Sequence, residues 1–421
     1  MEVLVRKHEI SSPQTRQRLT DEIHGLGWTY DVAMAQPFGF TAARCRLRTV
    51  DGVPVPGGAG DGDGLPEVAR NEALSAALKH AVTGAASLRG LDVVLPPASE
   101  VALSGAGAEL AVRIVAQQGD VRLACLPYRA LDGGEDLELP LFLWAPWYAA
   151  PTPEAAAARA LLGDTAAYGP VLSWSVDSGC GIGATEDEAL LRALLEWVGR
   201  DALSLFLWRS IHERGGMPPR VPRGVMPLHV ADEADRISAA IGSRVVVLDL
   251  TGDIGIPVAL ALVPASGAFE RSLVPFSVRA SLSGALAVEG AVSGLLGAHL
   301  LDREYGDDRP RTIAVHKRFA RRPRLLDCAR IACAGRLYPG SAVRQLVEDP
   351  AADASLAEQR REVVRRISAA GIRVLAHRLR RMSHGTTAVQ VQCPGLERFH
   401  LVTEGRLNTP GARARTRVGT A

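Results

Sequence analysis

The chain has 421 residues, 47% apolar and 22% charged, enough to bury a large core and unlike a disordered composition. With 48 Lys+Arg against 46 Asp+Glu the net charge is +2, so nothing in the overall field calls for a polyanionic partner such as nucleic acid. The absence of a charged-then-apolar leader and of an unbroken 18-residue apolar run argues against export or a membrane span and for a cytoplasmic protein; six scattered cysteines without a CxxC or Cys/His set read as free thiols.

In chain order, residues 15–24 read as an amphipathic helix stopped at Gly25, followed by a strand-like alternation and a second strand over residues 42–50. Residues 54–64, PVPGGAGDGDG, read as a polar glycine loop; without Lys and with Asp61 and Asp63 it suits a solvated turn better than a phosphate loop. Residues 67–82 form the next helix, with Ala69, Ala73, Leu74, Ala77 and Leu78 on its apolar face. Residues 91–148 read as mostly strand, in the runs VVLPPA, LAVRIVAQ, VRLACLPYRAL and LPLFLWAPWY separated by Gly/Asp turns. Trp144, Trp147 and Tyr148 cluster there as core or a domain seam more readily than as a wall for a peptide. A short Ala-rich helix covers residues 151–164.

Residues 176–203 are the centre of the chain. Gly179, Gly181 and Gly183 run into a helix start at Thr185, with Glu188 three places on as in a capping box. Leu190, Leu191, Leu194, Leu195 and Val198 mark a buried face, and Glu188, Arg192, Glu196 and Arg200 form a stripe at four-residue spacing. Two readings of that stripe stand: a phosphate-holding turn with carboxylates for Mg²⁺, or a solvated helix carrying two Glu–Arg i,i+4 pairs.

A repeat follows. Residues 237–264 and 367–394 both open Ile-Ser-Ala-Ala, close on Pro after 27 steps, and read as helix end, Gly, strand, turn, strand; residues 16–47 are a looser third copy. Repeated helix–strand–strand units predict an α+β fold with mixed or antiparallel sheets. Between the copies, residues 280–301 form a small-residue helix, residues 303–324 a basic segment that reads as a solvated face or as a surface for an acidic leader peptide, and residues 355–370 a charged amphipathic helix.

The run SGCGIGATEDEALLRALLEWVGRDA resembles the central signature of the YcaO family, S-x-G-x-A-x-G-x-T-x-x-E-A followed by A-L-x-E-x-x-E-R-D-A, and residues 393–397 resemble the V-P-G-L-E segment near YcaO C-termini. The resemblance implies a single YcaO-like domain over residues 1–421: a first repeat with the first nucleotide helix (1–90), a strand-rich insert (91–170), the central helix, second repeat and third nucleotide helix (171–305), and a basic segment, last repeat and tail (306–421). It implies ATP and Mg²⁺ as cofactors, with Ser178, Gly179, Glu196, Arg200 and Glu289 on the nucleotide and Glu196 and Glu289 on the metal. The family pattern is broken at other positions. Its first-helix glutamates fall on Ala76 and Lys79, its second central glutamate on Gly199, and its third-helix Gln and Arg on Val292 and Gly294. Residues 408–421 do not show the proline-spaced tail of azoline-forming members. The resemblance therefore carries two expectations: ATP-dependent activation of peptide backbone amides to azoline, thioamide or amidine within a complex, or a degenerate scaffold that binds precursor peptide or an active partner without hydrolysing ATP. Expected partners are a precursor peptide and a leader-binding protein, with a homodimer permitted and neither nucleic acid nor membrane involved.

Overall fold

The computed structural model describes residues 11–35, 39–88, 90–264, 273–305, 308–333, 336–337 and 345–416; the last five tail residues lie outside these. Helix α1 (Ser12–Gly25) leads into an antiparallel sheet of β1 (Trp28–Ala35), β2 (Thr41–Thr49) and β3 (Pro54–Gly64), and then into α2 (Pro66–Val82). β3 is the segment expected to be a glycine loop. It is a strand because alternate glycines press against α2: a Cβ on Gly60 would lie 2.0 Å from Ala77 N, and one on Gly62 2.1 Å from Ala69 O. Here a turn-like composition serves backbone-to-backbone packing.

The strand-rich expectation for residues 91–170 is corrected. This stretch holds α3 (Ala98–Leu103), α4 (Leu110–Ala116), two short strands, β4 (Cys125–Ala130) and β5 (Leu137–Pro140), then α5 (Pro146–Ala149) and α6 (Pro153–Leu162). The run LAVRIVAQ is helical despite its β-branched residues. Ala111, Val112 and Val115 are fully buried on one helical face, and this packing overrides a propensity worth less than about 1 kcal/mol per residue. Trp144 and Tyr148 are core.

After β6 (Cys180–Gly183) come α7 (Glu186–Phe206), α8 (Leu228–Ile241), β7 (Val246–Asp249), β8 (Val258–Leu262), β9 (Phe276–Ala280) and α9 (Gly284–Tyr305). Then follow α10 (Asp308–Phe319), α11 (Pro323–Ala329), α12 (Leu356–Ala369), β10 (Leu375–Arg381), β11 (Thr387–Gln392) and α13 (Ala412–Arg415). The repeat is real: α1, α8 and α12 each precede an antiparallel hairpin, β1–β2, β7–β8 and β10–β11. Each hairpin gains a third strand, β3, β9 or β6, in sheets ordered β1-β2-β3, β7-β8-β9 and β5-β4-β10-β11-β6. Each third strand runs on into a long helix, α2, α9 or α7. In the last unit the strand and helix precede their hairpin, so its chain order is permuted. The fold is α+β with antiparallel sheets, as the repeat predicts.

One apolar cluster gathers Trp144, Tyr128, Tyr148 and Phe142; a second gathers Trp197, Phe319 and Phe399; a smaller third joins α8, β8 and α9. The stretch Gly284–Leu301 of α9 has the length and mean hydropathy (1.4) of a membrane span, and 67% of it is buried inside the molecule, as befits a core helix.

Candidate functional site

The three helices that follow the third strands wall one cavity of about 680 Å³. Ser75, Ala76 and Lys79 come from α2; Arg192, Glu196, Gly199 and Arg200 from α7; Gly294 and Ala298 from α9; β6, β9, Asp61 of β3, the N-terminal end of α12, and His400, Thr403 and Glu404 add to the wall. α7 is set by a strong N-terminus. Thr185 Oγ1 accepts from Glu188 N at 3.2 Å, and Glu186, Asp187 and Glu188 occupy the positive end of the helix dipole. The reciprocal capping bond differs from a capping box, since Glu188 Oε2 accepts from Ala184 N at 3.1 Å. Leu190, Leu194 and Val198 go into the core, while Leu191 and Leu195 join the polar stripe on the cavity wall.

Of the two readings of the stripe, the Glu–Arg pairing is realised, on the cavity wall and not on a solvated face. The i,i+4 pairs form, Glu188–Arg192 at 3.1 Å and Glu196–Arg200 at 2.6 Å, and they line the cavity, with the Glu188 side chain only 5% exposed. Arg192 also reaches Glu72 of α2 at 3.2 Å, so one guanidinium joins two helices. Arg200 donates to Ser178 Oγ as well.

The residues expected at the nucleotide are only partly brought together. Glu196 and Arg200 line the cavity. Ser178 is fully buried, reaches it only through Arg200, and is not a wall residue; neither is Gly179. Gly179 has φ +79° and packs so tightly that a Cβ would lie 2.2 Å from Val391 O. Gly181 and Gly183 are strand residues against α7 and form no phosphate turn. Glu289 is absent from the wall; it meets His229 of α8 at 3.1 Å, so Glu196 and Glu289 form no shared carboxylate pair. The helix spacing identified α9 but not the face it turns to the cavity.

Sequence reasoning missed Glu72, Arg279 and His400. Arg279 of β9 reaches Asp63 of β3 at 3.0 Å. His400 is buried, and its Nδ1 lies 3.1 Å from Ser204 Oγ. Ser204 Oγ donates to Arg200 O at 2.7 Å and accepts His400 N at 2.9 Å, which leaves Nδ1–H to donate to it and Nε2 as a bare acceptor. Burial, then Arg200, Arg398 and Arg406, push this imidazole well below its ordinary range, so it is neutral. Burial alone would raise Asp177, but Lys79, Arg200 and His80 outweigh it and hold its carboxyl below the usual value.

For a Mg²⁺–nucleotide, the wall carboxylates are already engaged: Glu72 and Glu188 hold Arg192, Glu196 holds Arg200, Asp61 holds Arg44 and Glu404 holds Arg406; Lys79 adds a positive charge, and among the described residues no group of three or more His, Cys, Asp or Glu converges to hold a metal ion. Mg²⁺ needs carboxylate oxygens open to it, so these residues do not fit the ion.

No curated protein matches the sequence. Solved structures that share the fold include the following three. YcaO from Methanopyrus kandleri, bound with AMPPCP and Mg²⁺, aligns at TM-score 0.64 and 18% identity over 96% of this chain and 95% of that one. A heterocyclase in complex with substrate and cofactor aligns at TM-score 0.61 and 17% identity over 94% of this chain and 54% of that one. The E. coli microcin synthetase McbBCD complex aligns at TM-score 0.57 and 14% identity over 86% and 87%. The family model described as YcaO cyclodehydratase, ATP- and Mg²⁺-binding, matches residues 86–397, about three quarters of the chain. With this match, the helix–strand–strand units and the three-helix cavity, the chain belongs to the YcaO family.

Proposed function

We propose that this chain serves the maturation of ribosomally made peptides as a YcaO scaffold, holding a precursor peptide or an active partner protein without turning over ATP itself. The observation that carries this reading is the neutralisation of the wall carboxylates. A divalent ion reaching Glu72 or Glu188 must displace Arg192, and one reaching Glu196 must displace Arg200. Both cations are tethered to the fold, so the displacement is opposed by chain geometry as well as by charge. Lys79 stands where the family pattern has a glutamate. Phosphoryl transfer depends on metal-assisted charge neutralisation and positioning, so this wall forfeits its main source of rate. The cavity itself stays open, at a volume typical of ligand sites.

The second reading is amide activation in this cavity, giving azoline, thioamide or amidine. It is favoured by the adjacent Glu196 and Arg200 on the wall. Calorimetry with ATP and Mg²⁺ separates the two. No heat at millimolar nucleotide, with the tagged chain still retaining a precursor peptide or partner in nucleotide-free buffer, supports the scaffold. Tight Mg²⁺-dependent binding that Glu196→Ala abolishes transfers the site to the second reading.

A further inference from the structure

Positive charge is concentrated where α10 meets α11. Lys317 and Arg318 end α10, Arg321 and Arg322 form the connecting turn, and Arg324 opens α11; all five are exposed. Residues 312–326 contain no Asp or Glu. None of the five side chains has a hydrogen-bond or ion-pair partner among the described residues. The turn that carries them is fixed: Phe319 is fully buried, and Arg322 N donates to Phe319 O at 2.8 Å. The whole chain carries only +2, so the remainder of it is net acidic.

Helix stability accounts for two of these charges and not for the others. Lys317 and Arg318 suit the negative end of the α10 dipole. Arg322 and Arg324 stand at the positive end of α11, as its N-cap and in its first turn, with no acid there to offset them. Arg322 makes no side-chain capping bond either. Cations at that end cost stability, so the fold gains nothing from them. One turn before Lys317 and Arg318, Ile313 and Ala314 are also exposed, opposite the buried Val315 and Phe319. Ile313 is 52% exposed, an apolar side chain beside the cations. The buried side of α10 meets the segment that lines the cavity: a Cβ on Gly405, which follows Glu404 of the wall, would lie 3.0 Å from Val315 Cγ2.

Resting on the reading above that this chain holds a peptide, we propose that the α10–α11 turn docks an acidic stretch of that peptide, with an aliphatic residue of the stretch over Ile313. Charge complementarity selects the acidic stretch and draws it in. An acidic peptide fits this surface better than a nucleic acid. The one Phe, Tyr or Trp among residues 312–326 is the buried Phe319, so no ring is offered to a base, and the net-acidic remainder of the chain repels a long phosphate backbone.

The probe is a fluorescein-labelled sixteen-residue peptide of Glu and Asp with Leu at every fourth position, titrated into the full chain. Two comparators accompany it: the same peptide with Gln and Asn for its acids, and a single-stranded oligonucleotide of equal charge. The acidic peptide should bind, and the double variant Arg322→Glu, Arg324→Glu should weaken it by about tenfold or more. That variant places acids at the N-terminus of α11, so its melting temperature should hold or rise, which separates lost binding from lost fold. Ile313→Ser should weaken the Leu-containing peptide and leave a Leu-free one unchanged, and added salt should weaken binding throughout. No binding of the acidic peptide, equal affinity for parent and double variant, or equal affinity for the acidic and amide peptides overturns acidic docking. Tighter binding of the oligonucleotide overturns it in favour of a nucleic-acid surface. In the nucleotide-free retention assay, a precursor held equally by parent and double variant overturns this docking and leaves the scaffold reading intact. A parent that retains neither precursor nor partner defeats the scaffold reading instead, and the peptide titrations still judge the surface.

Discussion

At the scale of single residues, glycines on two helices have opposite reasons for being there. Gly199 lies inside α7 with its nearest neighbours at ordinary contact distance, 3.8 to 4.0 Å from a built Cβ. Packing does not require it, and Gly199→Ala should raise stability by about 0.5–1 kcal/mol through helix propensity. Gly294 on α9 would place a Cβ 2.3 Å from Ser277 Oγ, so Gly294→Ala should destabilise. Urea titration of both variants checks the contrast, and equal effects would show that α7 and α9 are packed alike. His400 supplies a pH prediction. Its folded-state pKa lies well below the unfolded value of 6.5, because burial and three arginines disfavour the proton. Between those two values only the unfolded chain binds the proton, so stability is full above pH 6.5 and falls as pH drops. The slope approaches about 1.4 kcal/mol per pH unit for one proton. His400→Gln should flatten the curve below pH 6.5, and an unchanged slope assigns the acid sensitivity to other groups.

At the scale of elements, Arg192 fastens α2 to α7 by meeting Glu72 at 3.2 Å and Glu188 at 3.1 Å. Arg192→Met leaves these two carboxylates near one another with their shared cation gone. The loss should be about 1–3 kcal/mol, moderated because the guanidinium is 29% exposed. Two carboxylates freed of their cation are ligands for a divalent ion, so the melting temperature of Arg192→Met should rise with millimolar Mn²⁺ while that of the parent stays fixed. A Mn²⁺ response in the parent would mean that Arg192 does not guard these oxygens. The elements differ in how plainly the sequence shows them. The three helix–hairpin units were legible because a helix stop and two short strands recur at equal spacing. α7 was legible because its cap and apolar face are local. β3 was not, since its glycines answer to α2 rather than to a turn. α4 was not, since burial outweighs the strand preference of Val and Ile. The cavity was half legible: Glu196 and Arg200 belong to a local motif, whereas Arg279, His400 and the turn of Glu289 toward His229 depend on packing between segments far apart in the chain.

At the scale of the molecule, the permuted third unit leaves α7 to be secured by chain that comes much later. Arg413 of α13 reaches Asp201 of α7 at 3.1 Å and Asp253, in the loop after β7, at 2.8 Å. Glu397 accepts from Gly411 N at 2.7 Å and Ala414 N at 2.8 Å, and Asp201 accepts from Glu397 N at 2.8 Å. The described tail is thus a clasp across the base of the central helix. Deleting residues 411–421 leaves the buried Asp201 carboxylate without its guanidinium, a loss of about 3–5 kcal/mol when one partner of a buried pair is removed. The loss should depend on pH with a definite sign. Burial pushes the Asp201 carboxyl up even with Arg413 beside it, and farther once Arg413 is gone. A carboxyl raised in the folded state favours folding below its unfolded pKa and loses that contribution as pH rises through the folded value. The truncated chain should therefore be weakened most at pH 7 and recover part of the loss near pH 4.5, with Arg413→Ala showing the same trend. Urea titrations of both at the two pH values measure it. A deficit independent of pH would mean that α13 stabilises α7 by covering apolar surface and not by neutralising Asp201.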